Sequence, residues 1–452
     1  MFFRSDVEDY DELTISLVTG NQELTSVRLE YSGEGVTGIG AGEPEYFRPS
    51  LDPDLVRQAR ANVYGVWQTS VTRGLDILSK SEIDPIESVG KALFSGLFEG
   101  KRQYYYLKSR EMAESRRRGL RLRLFIDCPE LAVLPWEFLH DGKDFINLST
   151  HSPVVRRMPE AYPRHESFPA LNQIRVLLVT IAFDDSGKDN AEPYIESLNT
   201  LRATFPQLSL EIIRSASLDQ FFNAVQGGSF EILTYLGWDS TQSRGKQELN
   251  FLKEGRSESI PNNLLQRVLT GKPELRLIYL CAGNTDLLAG ELAPFVPGAI
   301  GIMGVINDKP ALAFTQGLFT GILQGQPLEA AVTQGRLKID TAIPGSREWG
   351  LPVFYLGATD GALFTLEPPA EEARKQFTQG VEEIIKEPPT DAKSQAEWKK
   401  LQSMLTIKLK NLQALQEQKA VFWSTGSQHI ESQIEQTTSE ITKLRTKIEE
   451  LT

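Results

Sequence analysis

The sequence predicts an α/β protein: a mostly parallel sheet flanked by helices, with an N-terminal α+β region before it and a C-terminal antiparallel helical hairpin after it. Three observations carry this. Short apolar runs alternate with helix-length amphipathic segments between residues 174 and 357, the pattern of a parallel sheet covered on both faces. Upstream, strand-like alternation and helical periodicity are mixed. Past Phe364 the chain turns charged, and isoleucine and leucine recur at heptad spacing.

Taken in order, residues 1–11 are acidic and read as a frayed end. Residues 13–18 and 24–31 alternate apolar and polar around Gly20-Asn21, which predicts an antiparallel hairpin. The cluster Gly33, Gly35, Gly38, Gly40 and Gly42 reads as a mobile loop, because Glu43 breaks the dinucleotide-binding spacing. Residues 51–118 read as mostly helical. Leu55, Ala59, Val63 and Val66 keep one face apolar, and Asp84-Pro85 and Gly100 punctuate the pattern. The basic run Arg116-Arg117-Arg118, with Arg121 and Arg123, reads as a solvated helix end. Residues 120–127 then read as an edge-to-core strand.

The middle of the chain predicts strands near 174–182, 209–214, 231–237, 275–281, 299–304 and 351–357. Helices are predicted near 190–204, 217–226, 261–270, 286–295, 310–324 and 328–340, and a small extra strand over 248–254. Residues 371–386 read as a charged helix that Glu387-Pro388-Pro389 would stop. Two more helices follow. Leu401, Leu405, Leu412 and Leu415 share one face of the first. Ile434, Ile441 and Ile448 recur every seventh residue on the second, with Thr437, Leu444 and Leu451 in the complementary position. A turn over 423–429 makes these an antiparallel hairpin. Two helices alone bury little area, so the hairpin reads as an adaptor or oligomerisation module for a protein partner. The expected units are 1–168, 169–366, 367–396 and 397–452.

Bulk properties narrow the function. A formal net charge of −12 argues against a general nucleic-acid or membrane-surface binder. No apolar run reaches about 18 residues, so no membrane span is expected. The opening Met1-Phe2-Phe3-Arg4-Ser5-Asp6 lacks the apolar core of a signal peptide. Cys128 and Cys281 are too few for a disulfide framework, and a reducing cytoplasm is the simplest compartment. His140, His151, His165 and His429 are scattered, and no metal-ligand or Walker-type spacing occurs, so no metal or cofactor is expected.

Functional side chains gather at the carboxyl ends of parallel strands. Two strand ends stand out here. One closes in Gly237-Trp238-Asp239, the other in Cys281-Ala282-Gly283. Together they resemble the CHAT family, caspase-like domains often fused to helical repeats in bacteria. Further matches occur in family order over roughly residues 12 to 366. The segment Leu134-Pro135-Trp136-Glu137-Phe138-Leu139 resembles the family's Pro-Trp-Glu segment, and Val154-Val155-Arg156 the strand after it. Residues 299–304 resemble the strand that follows the cysteine, 330–336 the late helix and 349–364 the closing strand.

The resemblance implies a caspase-like fold with Cys281 at the nucleophile's place, followed by Ala282 and Gly283. It also implies a broken site. Thr234 stands where the outer histidine would be, Trp238 where the catalytic histidine would be, and Asp239 replaces the next glycine. Gly237 alone keeps that motif. A thiol attacks as thiolate and needs a base beside it. Indole offers only a donor, and a carboxylate at Asp239 would repel an oxyanion. In this context Trp136 is a packing residue and Glu137 a buried hydrogen-bonding anchor. The implied function is a pseudopeptidase that binds protein without cutting it, in bacterial signalling or defence. The hairpin and the vestigial groove would meet its partners, and Trp238 would either anchor a ligand or plug the groove. An oligomer stays open. The alternative is an active cysteine endopeptidase using Cys281 with an unconventional or partner-supplied base, His140 being the least implausible in the chain. A plain buried cysteine is the simplest competing reading.

Overall fold

The structure, a computed structural model, describes residues 9–19, 25–33, 36–39, 45–47, 85–157, 168–181, 191–239, 241–243, 246–253 and 256–366, with scattered positions between 395 and 447. The chain divides into two compact units, one of residues 5–366 and one of residues 1–4 with 367–452.

The larger unit opens with a hairpin, β1 (Tyr10–Thr19) and β2 (Thr25–Gly33), as the alternation predicts. Short strands β3 (Val36–Ile39) and β4 (Glu45–Phe47) pair with β2. Part of the glycine cluster is thus a strand and not a loop: backbone pairing to β2, which needs no side-chain propensity, decides it. Helices α1 (Pro85–Leu97) and α2 (Lys101–Ser115) lead to β5 (Gly119–Asp127). The helices expected over 51–84 lie outside the described residues.

β5 pairs in parallel with β1 on one side and with β6 (Val154–Arg157) on the other. It is therefore an interior strand, not an edge. Leu13, Ile15 and Leu17 join Leu120, Leu122 and Leu124 in a core beneath the helices. Each such side chain, fully buried, contributes roughly 1.5–3 kcal/mol.

The remaining elements alternate as the sequence predicts: β7 (Ile174–Thr180), α3 (Glu192–Thr204), β8 (Leu208–Ile213), α4 (Leu218–Gly227), β9 (Ile232–Asp239). Next comes a small antiparallel sheet, β10 (Thr241–Ser243), β11 (Lys246–Lys253) and β12 (Arg256–Ile260). One of its three strands was expected from the sequence. Then follow α5 (Asn262–Thr270), β13 (Leu277–Gly283), α6 (Asp286–Leu292), β14 (Gly298–Ile302), α7 (Asp308–Leu323), α8 (Leu328–Ala342) and β15 (Pro352–Leu356).

Among the described residues, the main sheet has 12 strands in the order β3-β2-β1-β5-β6-β15-β14-β13-β9-β7-β8, with β4 beside β2. It is mostly parallel and flanked by helices. The antiparallel pairs are β14 with β15 and those that β2 makes.

Two expectations about charge fail for one reason. Tyr10 and Asp11 are not frayed: both are buried in β1, and Asp11 holds Arg116 at 3.2 Å and Arg118 at 2.8 Å. Arg121 and Arg123 are not solvated either, at 3% and 2% exposure. A strap after β15, residues 357–366, lies over them. Arg123 donates to the Ala358 and Thr359 carbonyls, and Arg121 to the Thr359 carbonyl. Arg121 also pairs with Glu329 of α8 at 2.6 Å, and Glu12 reaches both arginines. Further along the strap, Arg276 donates to Leu363 O, and Leu171 N to Thr365 O. A buried guanidinium is tolerable only with acceptors of this kind.

In the smaller unit the described positions include buried Trp398 and Leu405 and an ion pair of 2.6 Å between Lys408 and Glu440. The charged helix expected over 371–386, Leu412, Leu415, Ile434, Ile441 and Ile448 of the expected seam, and the turn over 423–429, lie outside the described residues. No helix among the described residues is long and apolar enough to cross a membrane.

Candidate functional site

β9 and β13 are adjacent, so their carboxyl ends meet as the sequence requires. Cys281 lies opposite Leu236, and Gly283 opposite Asp239. Two residues of β9, Gly237 and Trp238, thus face the single Ala282, which makes a bulge at the strand end. Bulges are common where a strand end must re-aim its residues. At Gly237 an added Cβ would lie 2.5 Å from the Tyr235 ring, so only glycine fits that corner. The backbone of Trp238 and Asp239 belongs to β9. Their side chains lie outside the described residues, as do His165 and His429.

The turn after the cysteine is tightly held. Asn284 takes a left-handed conformation, φ 53°, which asparagine tolerates better than most residues. Its N–H donates to Gly304 O. Thr285, fully buried, donates to Leu280 and Ala282 carbonyls and accepts from Ile302 N–H. Gln247 of β11 reaches across to α6: its carbonyl accepts from Leu287 and Leu288 N–H, and its amide donates to Asp286 Oδ1 at 3.2 Å. Burial raises the Asp286 carboxyl above its ordinary pKa.

Cys281 is 5% exposed and Ala282 is 2% exposed. The side chains acting on the thiol are Tyr279, two residues earlier on β13, Tyr194 of α3 and Asp308 of α7. Among the described residues, no imidazole acts on the thiol. Burial pushes the thiol up to about 11, against the smaller opposing effect of the two phenol hydroxyls. Tyr279 meets Thr315 at 3.2 Å, and Thr315 donates to Ala311 O at 2.9 Å. With the Thr315 hydroxyl donating to Ala311 O, Tyr279 is left to donate to Thr315.

This burial has a signature in stability. The folded pKa lies above the unfolded value of 9.0. The unfolded chain therefore releases the proton first, and stability is lost as pH rises from the unfolded through the folded value. Between about pH 9 and 11 the wild type should lose about 2–3 kcal/mol more than Cys281→Ala. Urea unfolding at both pH values measures it; parallel pH profiles for the two proteins would contradict a buried neutral thiol.

Thr234 is fully buried on β9, opposite Tyr279 and Leu178, and its hydroxyl has no hydrogen-bond partner among the described residues. Its burial leaves no room for the exposed role of an outer histidine.

His140 is buried against Phe145, ring centroids 4.8 Å apart, and its Nδ1 accepts from Gly142 N–H. It is not among the groups that act on the Cys281 thiol. His151 is exposed. Pro135, Trp136 and Glu137 form a separate structural node. Trp136 is fully buried and donates to Leu131 O. Glu137 is 1% exposed and accepts from Arg156 Nε and Nη2 at 2.9 and 2.7 Å. Sequence reasoning missed Tyr194, Asp308, Thr285 and Gln247. Tyr279 carried a usable signal: in a strand, residues two apart share a face.

No protein-family model and no curated protein matches the chain. Among solved structures it is similar to the Arg-specific cysteine proteinase gingipain R, at 12% identity over 69% of this chain and 77% of that one, TM-score 0.39. It is similar to a secreted C11 cysteine protease from Bacteroides thetaiotaomicron at 12% identity over 36% and 57% of the two chains, TM-score 0.28. It is also similar to the Drosophila initiator caspase Dronc at 12% identity over 46% and 90%, TM-score 0.30. Likeness at these scores says nothing of chemistry. The described core is itself an α/β unit with a large, mostly parallel sheet and a buried cysteine at the end of an inner strand.

Proposed function

We propose that this is a CHAT-like pseudopeptidase: a caspase-like core that binds protein without cutting it and acts as an adaptor or scaffold in bacterial signalling or defence. In this reading the C-terminal helical hairpin and the vestigial groove engage its protein partners, in the cytoplasm. The single observation that supports it most is the state of Cys281. Its thiol is buried, with two phenols and no described imidazole acting on it where a peptidase needs one. Losing one member of a nucleophile–base pair commonly costs several powers of ten in rate.

Labelling of Cys281 by a thiol-reactive probe between pH 5 and 9, read by peptide mass, tests this. The expected result is negligible labelling of the folded protein throughout. Rapid labelling at pH 6, absent from Cys281→Ala, would mean an activated thiolate and an active peptidase with a base from elsewhere.

A further inference from the structure

The sealing of Cys281 has a specific architecture. On one face of the sheet, strand register sets Leu178, Thr234 and Tyr279 in one row and Thr180, Leu236 and Cys281 in the next. Helices α3 and α7 cover that face through Tyr194 and Thr315. Two side chains in these rows are badly served. Thr180 is 1% exposed and Thr234 fully buried, and neither hydroxyl has a hydrogen-bond partner among the described residues. A buried hydroxyl without a partner costs free energy that hydration would recover. The phenol of Tyr194 meets Asp308 O at 3.4 Å, a long contact, and its other partner is the Cys281 thiol. The helix it rides on has an exposed outer side at Glu192, Glu196 and Thr200.

We propose that Tyr194 is a displaceable plug, a contact by which the start of α3 seals the Cys281 thiol from solvent. The closed seat is biased against itself by the two unpaired threonine hydroxyls. Local opening of α3 would hydrate Thr180 and Thr234 and bring the thiol to solvent, without unfolding the sheet. Such local openings cost less than global unfolding and are the usual source of switching elements. The proposal rests on reading Cys281 as the nucleophile position of a silent site, and says by what contact its thiol is kept from solvent.

The test uses the full chain and iodoacetamide at pH 8, with Cys281 alkylation followed by peptide mass. Tyr194→Ala should label roughly tenfold or more faster than wild type. Tyr194→Phe, which keeps the ring, should stay close to wild type. Replacing both unpaired hydroxyls, Thr180→Val with Thr234→Val, should act the other way, slowing alkylation several-fold and raising the melting temperature. Wild-type rates in Tyr194→Ala, or faster labelling in the double valine variant, would overturn the plug. The valine variant carries the test alone if Tyr194→Ala fails to fold. Rapid labelling of the wild type at pH 6 would instead sink the pseudopeptidase reading, so the two failures are distinguishable.

Discussion

Glu137→Ala should destabilise the protein by about 3–5 kcal/mol. The Glu137 carboxylate is the counter-charge for Arg156, which is 3% exposed and spends its other donors on the Ala132 and Leu134 carbonyls at 2.6 and 3.0 Å. Arg336 of α8 lies in the same charged neighbourhood, 1% exposed, and donates only to Asn147 Oδ1 and Pro352 O among the bonds described. Burial and the Arg156 charge pull its pKa down to about 10, and Glu137 opposes both. Without Glu137, the buried Arg156 and Arg336 guanidinium groups would lose the carboxylate that offsets both. Urea denaturation of Glu137→Ala, Arg156→Met and the pair checks this. The pair should recover most of the loss, because the unpaired charge is what costs. A single-variant loss under about 1 kcal/mol would show that water reaches the node.

The second large effect is expected at Gly301 on β14. A Cβ there would lie 2.4 Å from the Thr285 carbonyl oxygen and 2.8 Å from the Asp286 Cα. Both are backbone atoms, so no rotamer change relieves the clash. Gly301→Ala should cost about 3 kcal/mol and push the turn after Cys281 off β14. The expected local sign is faster hydrogen exchange at Thr285 N–H, which donates to Ile302 O. A variant as stable as wild type, with Thr285 still protected, would mean that the turn is looser than its bonds suggest.

The two strand ends of the site were legible because buried parallel strands are short, continuous apolar runs. Ile232-Leu233 and Leu277-Ile278 each begin such a run, and each run stops at glycine. The Cys281 neighbourhood was legible only along the chain. Tyr194 and Asp308 arrive from helices far away in sequence, and no local pattern marks either. β3 was illegible for another reason: Val36-Thr37-Gly38-Ile39 is weak as a strand, and its pairing with β2 supplies what its composition lacks. Arg121 and Arg123 misled most. A strand written Leu-Arg-Leu-Arg has the period of a half-solvated sheet. Here the polar face is covered by carbonyls some 235 residues later, at Ala358 and Thr359.

That strap also sets where the chain can be cut or joined. Arg121, Arg123 and Arg276 each donate to its backbone, and Leu171 pairs with its last residues, Thr365 and Leu366. β15 ends at Leu356, yet the structural boundary falls ten residues later, at Leu366. A fragment trimmed neatly to the last strand would strip three guanidinium groups of their backbone acceptors. Anyone grafting another module onto this core, or excising it, has to treat the irregular stretch as part of the foundation and place the junction beyond it.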